Sequence, residues 1–199
     1  MSLRLSGGRK LQSPPGSVAR PTPSRVRLAV MNMLAADLPG ALWLDLFCGS
    51  GVMGCEALQK GAAGVVAVDQ DRRMQTTARS NLEAVARGLP QPVEVVVVAQ
   101  EVLRWLGAGA QQRCGGSPMA QGFDLIYADP PYSAGLYGAV GAAVNQGLWL
   151  KAGGLMLWEH ATAVQPEIPS GWTAVKHKRY GTSSVLVLQQ AIELDSPQN

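Results

Sequence analysis

The chain has 199 residues, of which 47% are hydrophobic and 16% charged, and its formal net charge is +3. That length fits one domain with at most a small appendage, and the apolar content supports one sizeable core, which excludes global disorder. No run approaches the roughly 18 apolar residues of a membrane span, and three unpatterned cysteines, Cys48, Cys55 and Cys114, indicate neither a disulfide framework nor a metal site.

In chain order, residues 1–24 are rich in Gly, Pro and Ser and read as an extended arm, with a short strand over Leu3–Leu5. The opening MSLRLSGGRK has no signal-peptide core, which, with the cysteine usage, points to a cytoplasmic protein. Ser24 is placed to cap a helix over Arg25–Asp37 that puts Val26, Ala29, Val30, Met33 and Leu34 on one face, and Pro39-Gly40 ends it. A strand is then predicted over Ala41–Phe47 and a helix over Val52–Lys60. A second strand, Val65–Val68, precedes a helix over Arg72–Arg87. Val93–Val98 is an almost unbroken β-branched run, as expected of a strand covered on both faces. Glu101–Leu106 makes one or two helical turns, and residues 107–122 form a low-complexity loop with mobility and no chemistry expected. Phe123–Ala128 is a strand, Leu136–Asn145 a helix and Leu155–Glu159 a strand. Thr173–Tyr180 and Ser184–Gln189 alternate as an antiparallel hairpin around Gly181-Thr182.

Alternating strands and helices imply an α/β fold, a mainly parallel sheet with helices on both faces, closed by an antiparallel hairpin. The predicted units are an amino-terminal basic arm and helix (1–36), a core domain (37–190) and a flexible tail (191–199). In such sheets ligands bind beyond the carboxyl ends of the strands. Cys48–Gly51, Asp69 and Asp129–Tyr132 all fall at such ends.

Gly49, Ser50 and Gly51 close a strand and open a helix, and glycine there lets the main chain approach a ligand. Asp69, twenty residues beyond Gly49, stands where a carboxylate accepts hydrogen bonds from ribose hydroxyls. The pattern Gly49-x-Gly51-x-x-Gly54 also fits a dinucleotide fingerprint or an ordinary βα turn. Asp45 separates these readings: a carboxylate just before the loop repels a pyrophosphate but favours the cationic end of S-adenosylmethionine. Asp45-Leu46-Phe47-Cys48-Gly49-Ser50-Gly51 resembles the first motif of Rossmann-like class I methyltransferases. That resemblance implies S-adenosylmethionine as cofactor, with Asp45, Phe47, Gly49, Ser50, Gly51 and Asp69 around it. It also implies an acid or amide after the third strand near the adenine, here Glu101 or, as second choice, Gln100; an exposed Glu at a helix start is an equal account of Glu101.

Asp129-Pro130-Pro131-Tyr132 follows an apolar strand. Neither proline can continue a ladder, so the chain makes a rigid exit that fixes the Asp129 carboxylate, the carbonyl at Pro130 and the Tyr132 ring relative to one another. Two acceptors gripping the N–H groups of an exocyclic amine would orient its nitrogen toward a methyl sulfonium, and Tyr132 would stack on the base. Alone, the segment is equally a structural turn. Beside a glycine loop it resembles the fourth motif of the amino-methyltransferases, which act on adenine N6, cytosine N4, guanine N2 or glutamine.

The ends carry unpaired cations: Arg9, Lys10, Arg20, Arg25 and Arg27 before the first acidic residue, Asp37, and Lys178 and Arg179 near the other end. Such blocks suit a polyanion. The segments Gly7–Leu11, Arg20–Thr22, Arg25–Arg27, DLFCGSGVMGCEAL, FDLIYADPPY, Gly153-Gly154, Glu159-His160 and Lys178–Thr182 are similar, in order, to the RsmD family. That resemblance implies a seven-stranded methyltransferase sheet, transfer to guanine N2 of 16S ribosomal RNA, and the rRNA or an assembling small subunit as partner. It departs from the family in a compressed amino-terminal segment, in Asp69 where Glu is usual, in a poorly defined third motif around Ala99–Glu101 and in the 107–122 insert. A DNA adenine-N6 or protein glutamine methyltransferase, a non-catalytic S-adenosylmethionine-binding ribosome-assembly factor and an NAD-dependent enzyme are the alternatives. His160 is a further residue that could line the site, although a lone His is more often structural.

Overall fold

A computed structural model describes residues 3–13, 22–131 and 135–191; Arg20, Tyr132 and the tail beyond 191 lie outside them. The strands are β1 (Leu42–Leu46), β2 (Gly64–Asp69), β3 (Glu94–Ala99), β4 (Phe123–Ala128), β5 (Leu150–Ala161), β6 (Trp172–Tyr180) and β7 (Ser183–Gln190). They form one sheet in the order β3-β2-β1-β4-β5-β7-β6. Pairings among β1 to β5 are parallel, and β7 runs antiparallel to both β5 and β6. The chain builds outward from β1 to β3 and then returns to lay β4 on the other side of β1. A crevice opens beyond the carboxyl ends of two strands where the order reverses in this way.

Helices α1 (Ser24–Met33), α2 (Val52–Gln59) and α3 (Arg72–Ala86) supply the buried side chains of one face. Helices α4 (Val102–Leu106), α5 (Ala110–Cys114) and α6 (Tyr137–Gln146) supply those of the other. The two-residue period of β1 divides between these cores: Leu44 and Leu46 join the second, Trp43 the first. Asp45 shares the side of Trp43, so strand alternation drives a carboxylate into an apolar layer.

Four expectations are corrected. Pro23 occupies the N-cap position of α1 without a side-chain cap, Ser24 is already helical, and the helix ends at Met33 before a turn over residues 34–37. The β-branched run of β3 is not covered on both faces. Sheet order puts it at an edge, where exposure alternates and only Val97 is buried, so its composition reflects strand preference. The 107–122 segment holds α5 and a 3-10 turn over Pro118–Gln121, anchored by buried Ala110 and Met119. Finally, the described part of the arm is folded. Leu5 and Leu11 donate to the Arg9 and Leu3 carbonyls (both 2.9 Å), and Leu3, Leu5 and Leu11 are buried in the same core as α1 to α3.

Candidate active site

β1 delivers the chain into a strained turn. Phe47 has φ 60°, unusual for a side-chain-bearing residue, and packs against the second core. The Cys48 amide donates to the Val68 carbonyl (3.1 Å), binding the turn to the end of β2. Gly51 (φ +72°) begins α2, and a Cβ there would lie 3.0 Å from that of Ala78 on α3. A Cβ on Gly54 would lie 2.9 Å from Val65. These two glycines allow helix, helix and strand to close up. Among the described residues, a Cβ on Gly49 would meet nothing within 4 Å, so this glycine lets a ligand approach the loop on its outer side.

Asp69 draws the neighbouring loops together, accepting from the amides of Gly49 (2.8 Å) and Asp71 (2.9 Å) with different oxygens. The Gln100 amide donates to its carbonyl (3.0 Å), so the ends of β1, β2 and β3 meet around Asp69. Glu101 spends its carboxylate on α4, accepting from the amides of Leu103 (2.9 Å) and Arg104 (2.7 Å) while remaining exposed. Glu101 therefore has a helix-capping role, with Gln100 nearer Asp69. Ser50 is buried, and its carbonyl accepts from Asn81 Nδ2 (3.0 Å). Burial pushes the Cys48 thiol up, which leaves it an inert thiol.

Beneath the crevice lies a floor of acids. Asp45 is 1% exposed, and one oxygen accepts from the Gly54 amide at 3.0 Å. Burial, opposed by that hydrogen bond and reinforced by Asp69, pushes its pKa up to about 8. Asp129 leaves the end of β4, with Pro130 buried and Pro131 exposed. Burial, then the charges of Glu159 and Asp45, also push its pKa up to about 8. Glu159, buried on β5, accepts a hydrogen bond from the Tyr127 hydroxyl, and its backbone carbonyl accepts from Tyr137 (2.7 Å). Its carboxyl is likewise raised by burial, opposed by hydrogen bonds from Tyr127 and Ser183. Glu159 and Tyr127 were not singled out from sequence as site residues. The available signal was an acid ending the apolar run Leu155–Trp158 and a Tyr two residues before Asp129, the strand period that puts both on one face.

Three acids sharing apolar surroundings cannot all ionise cheaply. Such a floor attracts a cation and grips N–H donors, because either would relieve the penalty. The donor set fits a sulfonium cofactor at the glycine loop: a buried carboxylate behind it, open space before Gly49, and Asp69 at the adjoining strand end.

The basic residues separate into distinct groups. Arg25 is exposed and its guanidinium crowds Gly181 in the β6–β7 turn, beside exposed Lys178 and Arg179. Because β7 starts opposite the end of β5, this turn stands on the crevice side of the sheet. Arg9 and Lys10 are exposed elsewhere: Arg9 donates to the Ala84 carbonyl (2.5 Å) near the end of α3 that leads to the start of β3. Arg27 corrects the expectation of a phosphate contact. It is 4% exposed, pairs with buried Glu56 (3.4 Å), and donates to the carbonyls of Thr22 (2.8 Å) and Arg4 (2.6 Å). Its position on the inward face of α1, between Val26 and Val30, makes it a clamp for the arm.

His160 does not join the acids. Adjacent strand residues face opposite ways, and its Nδ1–H donates to the carbonyls of Ala161 (2.9 Å) and Val164 (3.0 Å). Its Nε2 then accepts from His177 Nε2–H at 3.1 Å. Among the described residues, no helix is long and apolar enough to cross a membrane.

This arrangement has recognisable relatives. A family model described as Conserved hypothetical protein 95 matches residues 5–189. The ribosomal RNA small subunit methyltransferase D of Escherichia coli K12 is 30% identical over 199 residues, covering 98% of this chain and 93% of that one. The solved structure of yhhF from Escherichia coli superposes with a TM-score of 0.75 at 28% identity, covering 96% of this chain and 98% of that one. The rRNA methyltransferase aviRa from Streptomyces viridochromogenes, at 19% identity and a TM-score of 0.66 over 89% of this chain and 88% of its own, shares the fold. With a glycine loop and an Asp-Pro-Pro turn at adjacent strand ends of that fold, the chain belongs to the RsmD family of Rossmann-like methyltransferases.

Proposed function

We propose that this protein transfers a methyl group from S-adenosylmethionine to the N2 amine of a guanine in 16S ribosomal RNA. The observation that carries this reading is the meeting of Asp45, Asp129 and Glu159 beneath the crevice between the β1 and β4 ends. When bound, the cofactor supplies an electrophilic methyl group on a sulfonium. Asp45 would offset its positive charge, Gly49 and Gly51 would let the loop lie against it, and Asp69 would accept from its ribose hydroxyls.

Asp129 and the Pro130 carbonyl accept the two amine hydrogens and turn the nitrogen toward the methyl group. Tyr132 offers the guanine a stacking face. Transfer would form the N–C bond, break the S–C bond and release one proton from the amine nitrogen, which the ionised form of Asp129, made more basic by burial, would be placed to receive. Catalysis on this reading is positioning and electrostatics, with no covalent enzyme intermediate. Arg25, Lys178 and Arg179 hold phosphates at the crevice rim.

The relative named ribosomal RNA small subunit methyltransferase D favours this acceptor over DNA adenine or protein glutamine. The test is incubation of the protein with methyl-labelled cofactor and small subunits from a strain lacking the enzyme, followed by nucleoside analysis. Label in N2-methylguanosine is expected. Label in adenine or in protein glutamine would redirect the acceptor, and no label in any fraction would refute the activity.

A further inference from the structure

The reading of the glycine loop as the methyl-donor site leaves unused a buried polar side chain that hydrogen-bonds to the loop itself. Asn81, on α3, is 2% exposed, yet its side-chain hydrogen bonds go to main-chain groups outside its own helix. Its Oδ1 accepts from the Gln12 amide at 2.8 Å. Its Nδ2 donates to the Gln12 carbonyl at 3.1 Å and to the Ser50 carbonyl at 3.0 Å. The partners fix the amide orientation, since carbonyls only accept and a backbone N–H only donates. One side chain therefore pairs with both main-chain groups of an arm residue, as a strand neighbour would, and with the carbonyl between Gly49 and Gly51.

The arm is held from several directions. Leu3, Leu5 and Leu11 seat it in the core, Arg9 binds the Ala84 carbonyl, and Ser6 donates to Glu56 from its amide (2.9 Å) and hydroxyl (3.0 Å). It thus runs from the far end of α3 up to the glycine loop. Among the described residues, a Cβ on Gly49 would meet nothing within 4 Å, and one on Gly51 would crowd Ala78, one turn before Asn81. Among the described residues, Asn81 is the side chain that hydrogen-bonds to both segments.

We propose that Asn81 is a positioning residue for the donor site, fixing the glycine loop at Ser50 against the arm at Gln12, so that seating of the arm sets donor affinity. This rests on the proposed role of the loop. Replacing the amide with a carboxylate keeps the shape and the acceptor for the Gln12 amide. It removes both donors and sets an anionic oxygen against two carbonyls. Gln12→Pro deletes the arm's donor from an exposed residue and leaves α3 untouched.

The experiment measures S-adenosylmethionine affinity by calorimetry, and kcat and KM with 16S RNA, for the full-length wild type, Asn81→Asp, Gln12→Pro and the double variant. All are held well below their melting temperatures. Loss of one buried and one half-buried hydrogen bond is expected to raise Kd and the donor KM roughly tenfold in Asn81→Asp while kcat stays within about twofold. Gln12→Pro moves both constants in the same direction by less, and the double variant is no worse than Asn81→Asp, since the arm acts through Asn81. A purely structural Asn81 would lower the melting temperature and leave Kd unchanged, which overturns the proposal. Should Asn81→Asp fail to fold, an unchanged Kd in Gln12→Pro overturns it equally. If the folded wild type binds no S-adenosylmethionine, it is the reading of the loop itself that fails.

Discussion

The two ends of the sheet are built on opposite principles. At the amino ends of the strands, Trp149 is fully buried, its indole donates to the Leu106 carbonyl (2.9 Å), and it packs on Trp105 with centroids 4.2 Å apart and on Phe123 at 6.3 Å. Met119 of the 107–122 segment fills the space left by Gly64. Trp149 thus finds aromatic neighbours for its ring and a partner for its indole N–H. At the carboxyl ends, three carboxyls with raised pKa values share one floor, and among the described residues nothing lies within 4 Å of where a Cβ on Gly49 would stand. One end stores stability, and the other gives some up to create a demand for a cation and for N–H donors.

The largest expected contrast is between two substitutions, one at each end. Asp129→Asn keeps a carbonyl acceptor for the amine but removes the negative charge and the proposed proton acceptor, and should lower kcat about 10²–10³-fold, with donor affinity kept. It should also raise the melting temperature at pH 8, because a buried charge is gone. Trp149→Ala should do the reverse, costing about 3–5 kcal/mol in denaturant unfolding while the molecules still folded keep their turnover. A stabilising Trp149→Ala or a destabilising Asp129→Asn would break the comparison.

The pH dependence sharpens it. Asp45 and Asp129 are held near 8 when folded, against the ordinary carboxylate value when unfolded. Between these limits the folded state keeps protons that the unfolded state has lost. Stability without ligand should therefore fall as pH rises from about 4 to 8, read as a declining melting temperature, with a shallower decline in Asp129→Asn. Glu159→Gln keeps an acceptor for Tyr127 but removes the charge that helps raise Asp129. Its kcat profile should shift its acid limb to lower pH, and an unmoved limb would deny Glu159 that influence. The smallest effects belong to the exposed rim. Lys178→Ala and Arg179→Ala should each reduce the slope of log affinity for RNA against log salt by about 1, measured by filter binding, without changing melting temperature.

The sequence by itself determined the order of strands and helices, the hairpin, the glycine loop and the Asp-Pro-Pro turn, because these follow from short-range rules. Strand and helix periods, backbone dihedrals open to glycine and the missing N–H of proline act within a few residues. It could not set Val93–Val98 on an edge strand, since β-branched composition is the same at an edge and in the middle. Nor could it separate Arg25 from Arg27. Two residues apart on α1, one faces the hairpin turn and the other is buried against Glu56, and only the packing of α1 on α2 decides which. The 107–122 segment read as a loop because its few anchors, Ala110 and Met119, carry no period of their own. Tertiary structure alone gathered Asp45, Tyr127, Asp129 and Glu159 from three strands. Their pKa values are properties of shared burial and mutual charge, which exist only once β1, β4 and β5 lie side by side.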